Sequence, residues 1–126
     1  MLDCTKESIK NVINGMSQVC HEAAINWWRD PATGEPIDRN NGELLMLIVS
    51  ELAEAMEADR KDLMDDKLPH RKGLEVELAD ALIRIFDMAG ARGLDVGGAI
   101  VEKLEFNANR ADHKPENRLK AGGKKY

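Results

Sequence analysis

The sequence lacks the features that would indicate a disulfide-stabilised or β-rich protein. Its 126 residues include only two cysteines, Cys4 and Cys20. On one helix the two side chains would lie about 24 Å apart along the axis and about 160° apart around it, so they cannot bridge to each other. Aromatic residues amount to 4%, and no segment shows the sustained apolar/polar alternation that is typical of strands. A disulfide framework is therefore excluded, and helices are expected.

Long apolar runs are also missing. No window approaches the roughly 20 apolar residues of a membrane span. The start of the chain, where a signal peptide would carry an apolar core, contains the charged residues Asp3, Lys6, Glu7 and Lys10. We therefore expect a soluble, cytoplasmic protein with no membrane partner.

The net charge is −5, which argues against a nucleic-acid partner, because phosphate-tracking surfaces are normally strongly basic. The charge is unevenly distributed: residues 43–80 contain eleven acids and five bases, whereas residues 102–126 contain seven bases and four acids. This separation would suit a cation bound by the middle of the chain and an anionic group bound near its end. Solvated helix surfaces would equally account for both charge runs.

Apolar residues recur at helical spacing, and the composition is rich in the helix formers Ala, Leu, Glu and Lys. The sequence predicts an all-α, four-helix-bundle-like fold with helices over residues 5–28, 40–63, 74–91 and 95–109. Asn40 or Asn41 and Asp95 are suited to cap the second and fourth helices. Pro69 places a connector over residues 65–73.

The third predicted helix is apolar around much of its circumference, through Val76, Leu78, Leu82, Ile83, Ile85, Phe86 and Met88. Such a helix should be buried on more than one side, which indicates packing against another subunit. We expect one helical domain over residues 1–113, in a homo-oligomer with two-fold contacts. The basic tail over residues 114–126 has too little apolar content to fold alone.

Two acid pairs with the same spacing lie on the second and third predicted helices: Glu51 with Glu54, and Glu77 with Asp80. Residues three apart on a helix point in similar directions, so antiparallel packing would bring four carboxylates together. Their lost hydration and mutual repulsion would cost on the order of several kcal/mol each, which a bound cation or open access to water must offset. Oxygen ligands without nearby His or Cys favour Mg²⁺ or Mn²⁺ over zinc.

The acid pairs could instead belong to a solvated surface or to a di-iron centre. Exposed acids that pair with neighbouring bases are common for one such motif and less common for two. A ferritin-like di-iron bundle would need Glu-x-x-His pairs, but Glu57 and Ile83 stand where the histidines would be. Redox chemistry therefore has no ligand set in this part of the chain.

The two acid pairs, separated by 22 residues between Glu54 and Glu77, resemble the ExxE and ExxD motif of the all-α NTP pyrophosphatases that include MazG and the dimeric dUTPases. The segment from Lys103 to Arg110 is similar to the family's K-x3-N-x2-R phosphate-contacting segment. The resemblance covers residues 21–126, and short phage-type members, the MazZ branch in particular, are the most similar. Ser50 stands where MazG has a further glutamate, which leaves the number of metal ions open.

The resemblance implies a MazG-type fold that forms a dimer or tetramer, and an enzyme that uses Mg²⁺, with Mn²⁺ as a substitute. Water would attack the α-phosphorus of a nucleoside triphosphate and release the monophosphate and pyrophosphate. The catalytic and metal-binding residues implied are Glu51, Glu54, Glu77 and Asp80. The phosphate-binding residues implied are Lys103, Asn107 and Arg110, which share one helix face. Arg84, one turn beyond Asp80 on its predicted helix, is a further candidate for phosphate binding, with an ion pair to Asp80 or Asp87 as the alternative.

Candidates for binding the nucleobase are His21, Asn26, Trp27 and Trp28. Two adjacent tryptophans on a helix point about 100° apart, so one can enter the core while the other offers a stacking face. Burial of both in the core is the alternative. The related deoxycytidine triphosphatases line the base pocket with a His and a Trp from this region, and similarity to the MazZ branch implies dGTP or GTP as the substrate.

Two further alternatives concern the tail and the chain as a whole. Lys120, Lys124 and Lys125, next to two glycines, either close over the phosphates or belong to a disordered, solubilising tail. The chain as a whole could also be a non-catalytic helical protein that binds metal or nucleotide in a regulatory or assembly role.

Overall fold

The computed structural model describes residues 3–126 and is all-helical, as the sequence predicts. Its α-helices are α1 (Asp3–Ala23), α2 (Asn41–Arg60), α3 (Gly73–Arg92), α4 (Val96–Ala108) and a short α5 (Pro115–Arg118). Two 3-10 turns cover Ile25–Trp28 and Ala111–His113. Within residues 3–126 there is no strand; isolated bridges join Arg29 to Pro36 and Met64 to Lys72.

The starts of α2 and α4 follow the two predicted capping residues. Asn40 Oδ1 accepts a hydrogen bond from the Glu43 backbone N–H at 3.2 Å. Asp95 Oδ1 accepts one from the Gly98 backbone N–H at 2.8 Å. Each side chain satisfies a backbone donor that has no partner in the first helical turn, so local sequence decides where these helices begin.

The helix predicted over residues 5–28 was too long. It ends at Ala23, and the chain tightens into a 3-10 turn in which the Trp27 N–H donates to the Ala24 carbonyl at 2.9 Å. The turn ends with a buried Trp28, whose indole donates to Asp87. A tertiary contact thus accompanies the change of helix type, and the local pattern does not contain it.

The end predicted near residue 63 for the second helix was also wrong. α2 ends at Arg60 because Asp62 adopts the left-handed conformation, with φ of 51°. Asp tolerates this conformation better than most side chains. The Leu63 N–H then donates to the Ala58 carbonyl at 2.9 Å and closes the helix end.

The chain divides into two compact units, of which residues 15–94 form the larger. In this unit α2 and α3 pack against each other along their length. Contacts between them run in opposite directions and join Asn41 to Arg92, Glu51 to Arg84 and Ala58 to Gly73. The two helices are therefore antiparallel, the arrangement in which their acid pairs can meet.

Close approach within this unit depends on glycine at two helix positions. A side chain at Gly73 would contact the Ala58 methyl group at 2.9 Å, and one at Gly90 would collide with the Ser17 carbonyl oxygen. The close approach of Gly90 to Ser17 lets the end of α1 pack against α3. Buried Ser17 and Cys20 lie on this end of α1.

The smaller unit consists, among the described residues, of residues 3–14 and 95–126. The Asn14 amide donates to Asp95 Oδ1 at 2.7 Å, and its oxygen accepts from the Gly97 N–H at 2.9 Å. The tail forms α5 and is held by polar contacts instead of an apolar core. Lys124 Nζ lies 2.8 Å from Asp112 Oδ2.

Large apolar side chains remain exposed on α2 and α3, including Leu45, Val49, Leu52, Met56, Leu78, Leu82 and Ile83. None of the large side chains among residues 3–126 is completely buried. The helices in this range also include none with both the length and the apolar character needed to cross a membrane.

Candidate functional site

Three of the four predicted metal ligands come together between α2 and α3. Glu51, Glu77 and Asp80 each offer a carboxylate oxygen, and these oxygens lie within 4.8 Å of one another. Glu51 comes from the middle of α2, whereas Glu77 and Asp80 lie one turn apart on α3. Antiparallel packing thus produces the convergence that the motif spacing predicts. We call these three residues the acid triad.

Glu77 is the most perturbed member of the acid triad. Its Oε2 atom is buried, with no hydrogen-bond donor among the described residues. Burial, and then the neighbouring Glu51 and Glu54 carboxylates, raise the pKa of Glu77 to about 7. Burial and the Glu51 charge also raise the pKa of Asp80. The acid triad is therefore a site where negative charge accumulates without enough hydrogen-bond donors to stabilise it.

Arg84 supplies the one ion pair that the acid triad makes within residues 3–126. Its Nε donates to Glu51 Oε1 at 2.9 Å, and the Glu51 side chain is only 12% exposed. The ion pairs that spacing along α3 would allow, with Asp80 or Asp87, do not form. The contact with Glu51 crosses from α3 to α2, and sequence spacing along one helix could not show it. The Arg84 charge still lowers the pKa of Asp80, against the larger effect of burial.

Glu54, the fourth predicted ligand, is exposed and lies outside the acid triad. It nevertheless lies close enough to Glu77 to raise that residue's pKa by hydrogen bonding and by charge. Glu54 is thus a solvent-exposed neighbour of the acid triad.

The acid triad fits a hard divalent cation. All of its ligand atoms are carboxylate oxygens, which Mg²⁺ and Mn²⁺ prefer. The unpartnered Glu77 Oε2 is the kind of buried polar atom that a bound cation would satisfy. The residues present are therefore compatible with the predicted ion.

Two clefts open next to the acid triad, and Glu51 and Asp80 line both of them. The acidic cleft has a volume of about 730 Å³, and its further walls include Glu54, Glu57, Asp65 and Asp66. The tryptophan cleft has a volume of about 470 Å³, and its further walls include Trp27, Arg39, Arg84 and Asp87. Of these two clefts, the tryptophan cleft alone combines an aromatic face with two arginines, so the two offer different chemistry.

The predicted base-binding residues separate into two groups. Trp27 is 75% exposed and lines the tryptophan cleft, where its ring is available for stacking. Trp28 is 8% exposed, and its ring packs edge-to-face on His21 with centroids 5.5 Å apart. His21 and Trp28 line a different cavity of about 280 Å³. Asn26 is exposed on the 3-10 turn and is absent from the described walls of either cavity.

Asp87 is a buried residue that the sequence did not single out as an anchor. Its carboxylate accepts a hydrogen bond from Trp28 Nε1 at 2.9 Å and lies 2.9 Å from His21 Nδ1. Because Asp87 also lines the tryptophan cleft, this network fixes one wall of that cleft. The signal in the sequence is an acid within an otherwise apolar helix segment.

We expect Asp87→Ala to lower the free energy of unfolding by about 2–3 kcal/mol, because the buried Trp28 indole N–H loses its acceptor and the half-buried His21 loses its partner. The measurement is urea denaturation at pH 7. Asp59→Ala is the matched control on an exposed position of α2, and we expect it to change stability by no more than about 0.5 kcal/mol. Equal losses in the two variants would show that Asp87 does not anchor the network.

The predicted phosphate-binding residues of α4 belong to the smaller unit. Lys103 Nζ and the Arg110 guanidinium lie 4.7 Å and 6.0 Å from the Phe106 ring centroid. Arg110 also donates two hydrogen bonds to Asp112, which hold the pKa of that carboxyl well below its usual range. Asn107 Oδ1 is buried, with no partner among the described residues. Lys103 and Arg110 therefore lie close to the Phe106 ring, and Arg110 already has an anionic partner.

No protein-family model, curated protein or solved structure matches the chain. The geometry of the acid triad and its clefts therefore carries the functional inference.

Proposed function

We propose that the protein is a Mg²⁺-dependent nucleoside triphosphate pyrophosphohydrolase of the MazG-like type. The acid triad supports this proposal more than any other feature, because its carboxylates converge around a buried and unpartnered oxygen. The adjoining tryptophan cleft supports it further, since the exposed Trp27 ring suits a base and the Arg39 guanidinium suits a phosphate. Proposed products are a nucleoside monophosphate and pyrophosphate.

In this proposal Glu51, Glu77 and Asp80 hold Mg²⁺ or its substitute Mn²⁺. The ion would neutralise phosphate charge and activate a water molecule. Arg84 holds Glu51 in place through its 2.9 Å hydrogen bond. Glu54, exposed and next to Glu77, takes the proton of the attacking water.

The proposed substrates are the guanine nucleotides dGTP and GTP. Trp27 is the proposed stacking residue for the base. Lys103, Asn107 and Arg110 remain the predicted phosphate-binding residues of the smaller unit. Arg110 would then exchange Asp112 for a phosphate group, a change between two anionic partners. The proposed setting is the cytoplasm.

A substrate panel tests the proposal. The eight common ribo- and deoxyribonucleoside triphosphates are incubated with the protein, with Mg²⁺ or with a chelator, and the products are separated. We expect a monophosphate and pyrophosphate from at least one nucleotide, with guanine nucleotides turned over fastest and no products when the chelator is present. Nucleotide binding without any turnover would contradict the proposal and favour a regulatory protein.

We also propose that the functional unit is a homodimer or tetramer built on the exposed apolar side chains of α2 and α3. Leu78, Leu82 and Ile83 are 44%, 50% and 47% exposed and lie close together along α3, and large exposed apolar patches usually mark an interface. The second copy of the chain is the proposed partner because two-fold contacts are the commonest closed arrangement.

We expect Leu82→Asp to raise the dissociation constant of the oligomer by at least about tenfold, because a charge would be buried at the interface. Light scattering should then shift from a multiple of 14.0 kDa to the single-chain mass. Leu119→Asp makes the same chemical change on the tail, at a side chain that is 88% exposed, and should leave the mass unchanged. A wild-type protein with the single-chain mass at working concentration would contradict the proposal.

A further inference from the structure

Arg39 has a combination of contacts that sets it apart in the tryptophan cleft. Its guanidinium carbon lies 5.0 Å from the centroid of the Trp28 ring, and the residue is half-buried. Among residues 3–126 no carboxylate forms an ion pair with it. The other arginine of the cleft, Arg84, is paired with Glu51. Arg39 is therefore the cation of this cleft that lacks an anionic partner.

The position of Arg39 is fixed from two directions. Arg92, near the end of α3, donates to the Arg39 carbonyl oxygen and, at 3.0 Å, to Asn41 Oδ1. The ring of Trp28, on which the Arg39 side chain stacks, is itself held by the buried Asp87. The contact with Trp28 limits the freedom of the Arg39 side chain and so reduces the entropic cost of binding a ligand at this guanidinium.

Stacking does not use up the hydrogen-bonding capacity of Arg39. A guanidinium in a cation–π contact keeps the N–H groups of its planar fork, which match the oxygens of a phosphate. Glu51, Asp80 and Asp87 line the same cleft, so a free anion would be repelled. A polyphosphate that carries a divalent cation would not be, because the cation and Arg39 would each neutralise part of its charge.

From these observations we infer that Arg39 is a phosphate-binding residue of the tryptophan cleft, and that it takes a phosphate group of a magnesium-complexed nucleoside polyphosphate. This inference rests on the proposed function and adds a residue to it. Arg39 belongs to the 15–94 unit, so this unit has a proposed phosphate-binding residue that is separate from those of α4.

Calorimetric binding of magnesium tripolyphosphate and of guanosine tests the inference without relying on turnover. For Arg39→Met, which keeps an unbranched side chain of similar length, we expect affinity for magnesium tripolyphosphate to fall about tenfold or more. Guanosine affinity should change less than about twofold, since the nucleoside has no phosphate. Arg60→Met is the matched control, because Arg60 is exposed at the end of α2 and outside the cleft.

Arg39→Lys separates phosphate binding from packing. It keeps the positive charge but loses the planar fork, so we expect an affinity for magnesium tripolyphosphate between those of the wild type and Arg39→Met. Urea denaturation shows whether each variant is folded. If Arg39→Met is not folded, the affinity of Arg39→Lys for magnesium tripolyphosphate decides the test. A wild-type affinity in Arg39→Met, or an equal loss for guanosine, would overturn the inference.

The same data separate this inference from the proposed function. If the wild type turns over no nucleotide while Arg39→Met still loses tripolyphosphate affinity, the enzyme proposal fails and the role of Arg39 stands. If the wild type releases pyrophosphate and Arg39→Met binds tripolyphosphate normally, the role of Arg39 fails and the enzyme proposal stands. If the wild type does not bind magnesium tripolyphosphate at all, the role of Arg39 is overturned.

Discussion

Replacement of Glu77 by glutamine is expected to stabilise the metal-free protein by about 2–3 kcal/mol above pH 7. Burial and the Glu51 and Glu54 carboxylates raise the pKa of Glu77 from 4.5 to about 7. The folded state therefore holds the Glu77 proton more tightly than the unfolded state does. The contribution of Glu77 to the free energy of unfolding is fully present below pH 4.5 and is lost as the pH rises through about 7. Glutamine mimics the protonated form at every pH.

Urea denaturation between pH 4 and pH 8, in a chelator, measures this effect. The wild-type free energy of unfolding should fall as the pH rises, and that of Glu77→Gln should fall much less. Glu75→Gln is the control, because Glu75 lies on the same helix with a side chain that is 57% exposed, and its effect should stay within about 0.5 kcal/mol. A wild-type stability that does not decrease over this range would show that Glu77 is not a buried, repelled carboxylate.

Added Mg²⁺ should make the wild type more stable than Glu77→Gln, the reverse of the order expected without metal. The wild type should gain stability with Mg²⁺ concentration, because an ion bound only by the folded state stabilises it. Glu77→Gln should gain far less, since it has lost a charged ligand. Because the metal competes with the Glu77 proton, the wild-type gain should also increase as the pH rises towards 8.

Asp80→Asn should lower the rate of pyrophosphate release about 1000-fold, equivalent to about 4 kcal/mol of transition-state stabilisation. Asp80 is a member of the acid triad and lines both clefts, so its loss removes a metal ligand at the centre of the site. The burial that raises its pKa also makes the charge costly in the folded state. The variant should therefore remain folded and be at least as stable as the wild type without metal.

Glu54→Gln provides the contrast to Asp80→Asn. Because Glu54 lies outside the acid triad, we expect this variant to lose turnover while its calorimetric affinity for Mg²⁺ stays within about threefold of the wild type. Asp59→Asn, at an exposed position of α2, serves as the control with wild-type turnover and metal affinity. Wild-type turnover in Asp80→Asn would show that the acid triad takes no part in the reaction.

The parts of the fold that the sequence predicts correctly are those under local control. Helical spacing locates α2 and α3, and the caps Asn40 and Asp95 place two helix starts because each side chain bonds a backbone N–H three residues later. The acid triad follows from the same local rule. Residues one turn apart share a helix face, and antiparallel pairing then brings Glu51 to Glu77 and Asp80.

The parts that could not be predicted depend on contacts between residues distant in the sequence. Arg84 bonds Glu51, 33 positions away, instead of a neighbour on its own helix. The helix predicted to reach residue 28 ends early next to a turn that brings Trp28 to Asp87, 59 positions away. Arg39 lies in a loop with no periodic pattern, and only the tertiary structure shows that it stacks on Trp28 and faces the cleft.

Hydrolysis in water labelled with oxygen-18 tests the central proposal most directly. The preferred nucleotide is turned over with Mg²⁺ in labelled water, and the masses of both products are measured. We expect one labelled oxygen in the nucleoside monophosphate and none in the pyrophosphate, with release of both products about 1000-fold slower for Asp80→Asn. Release of orthophosphate and nucleoside diphosphate, or label in the pyrophosphate, would contradict attack at the α-phosphorus and with it the proposed function.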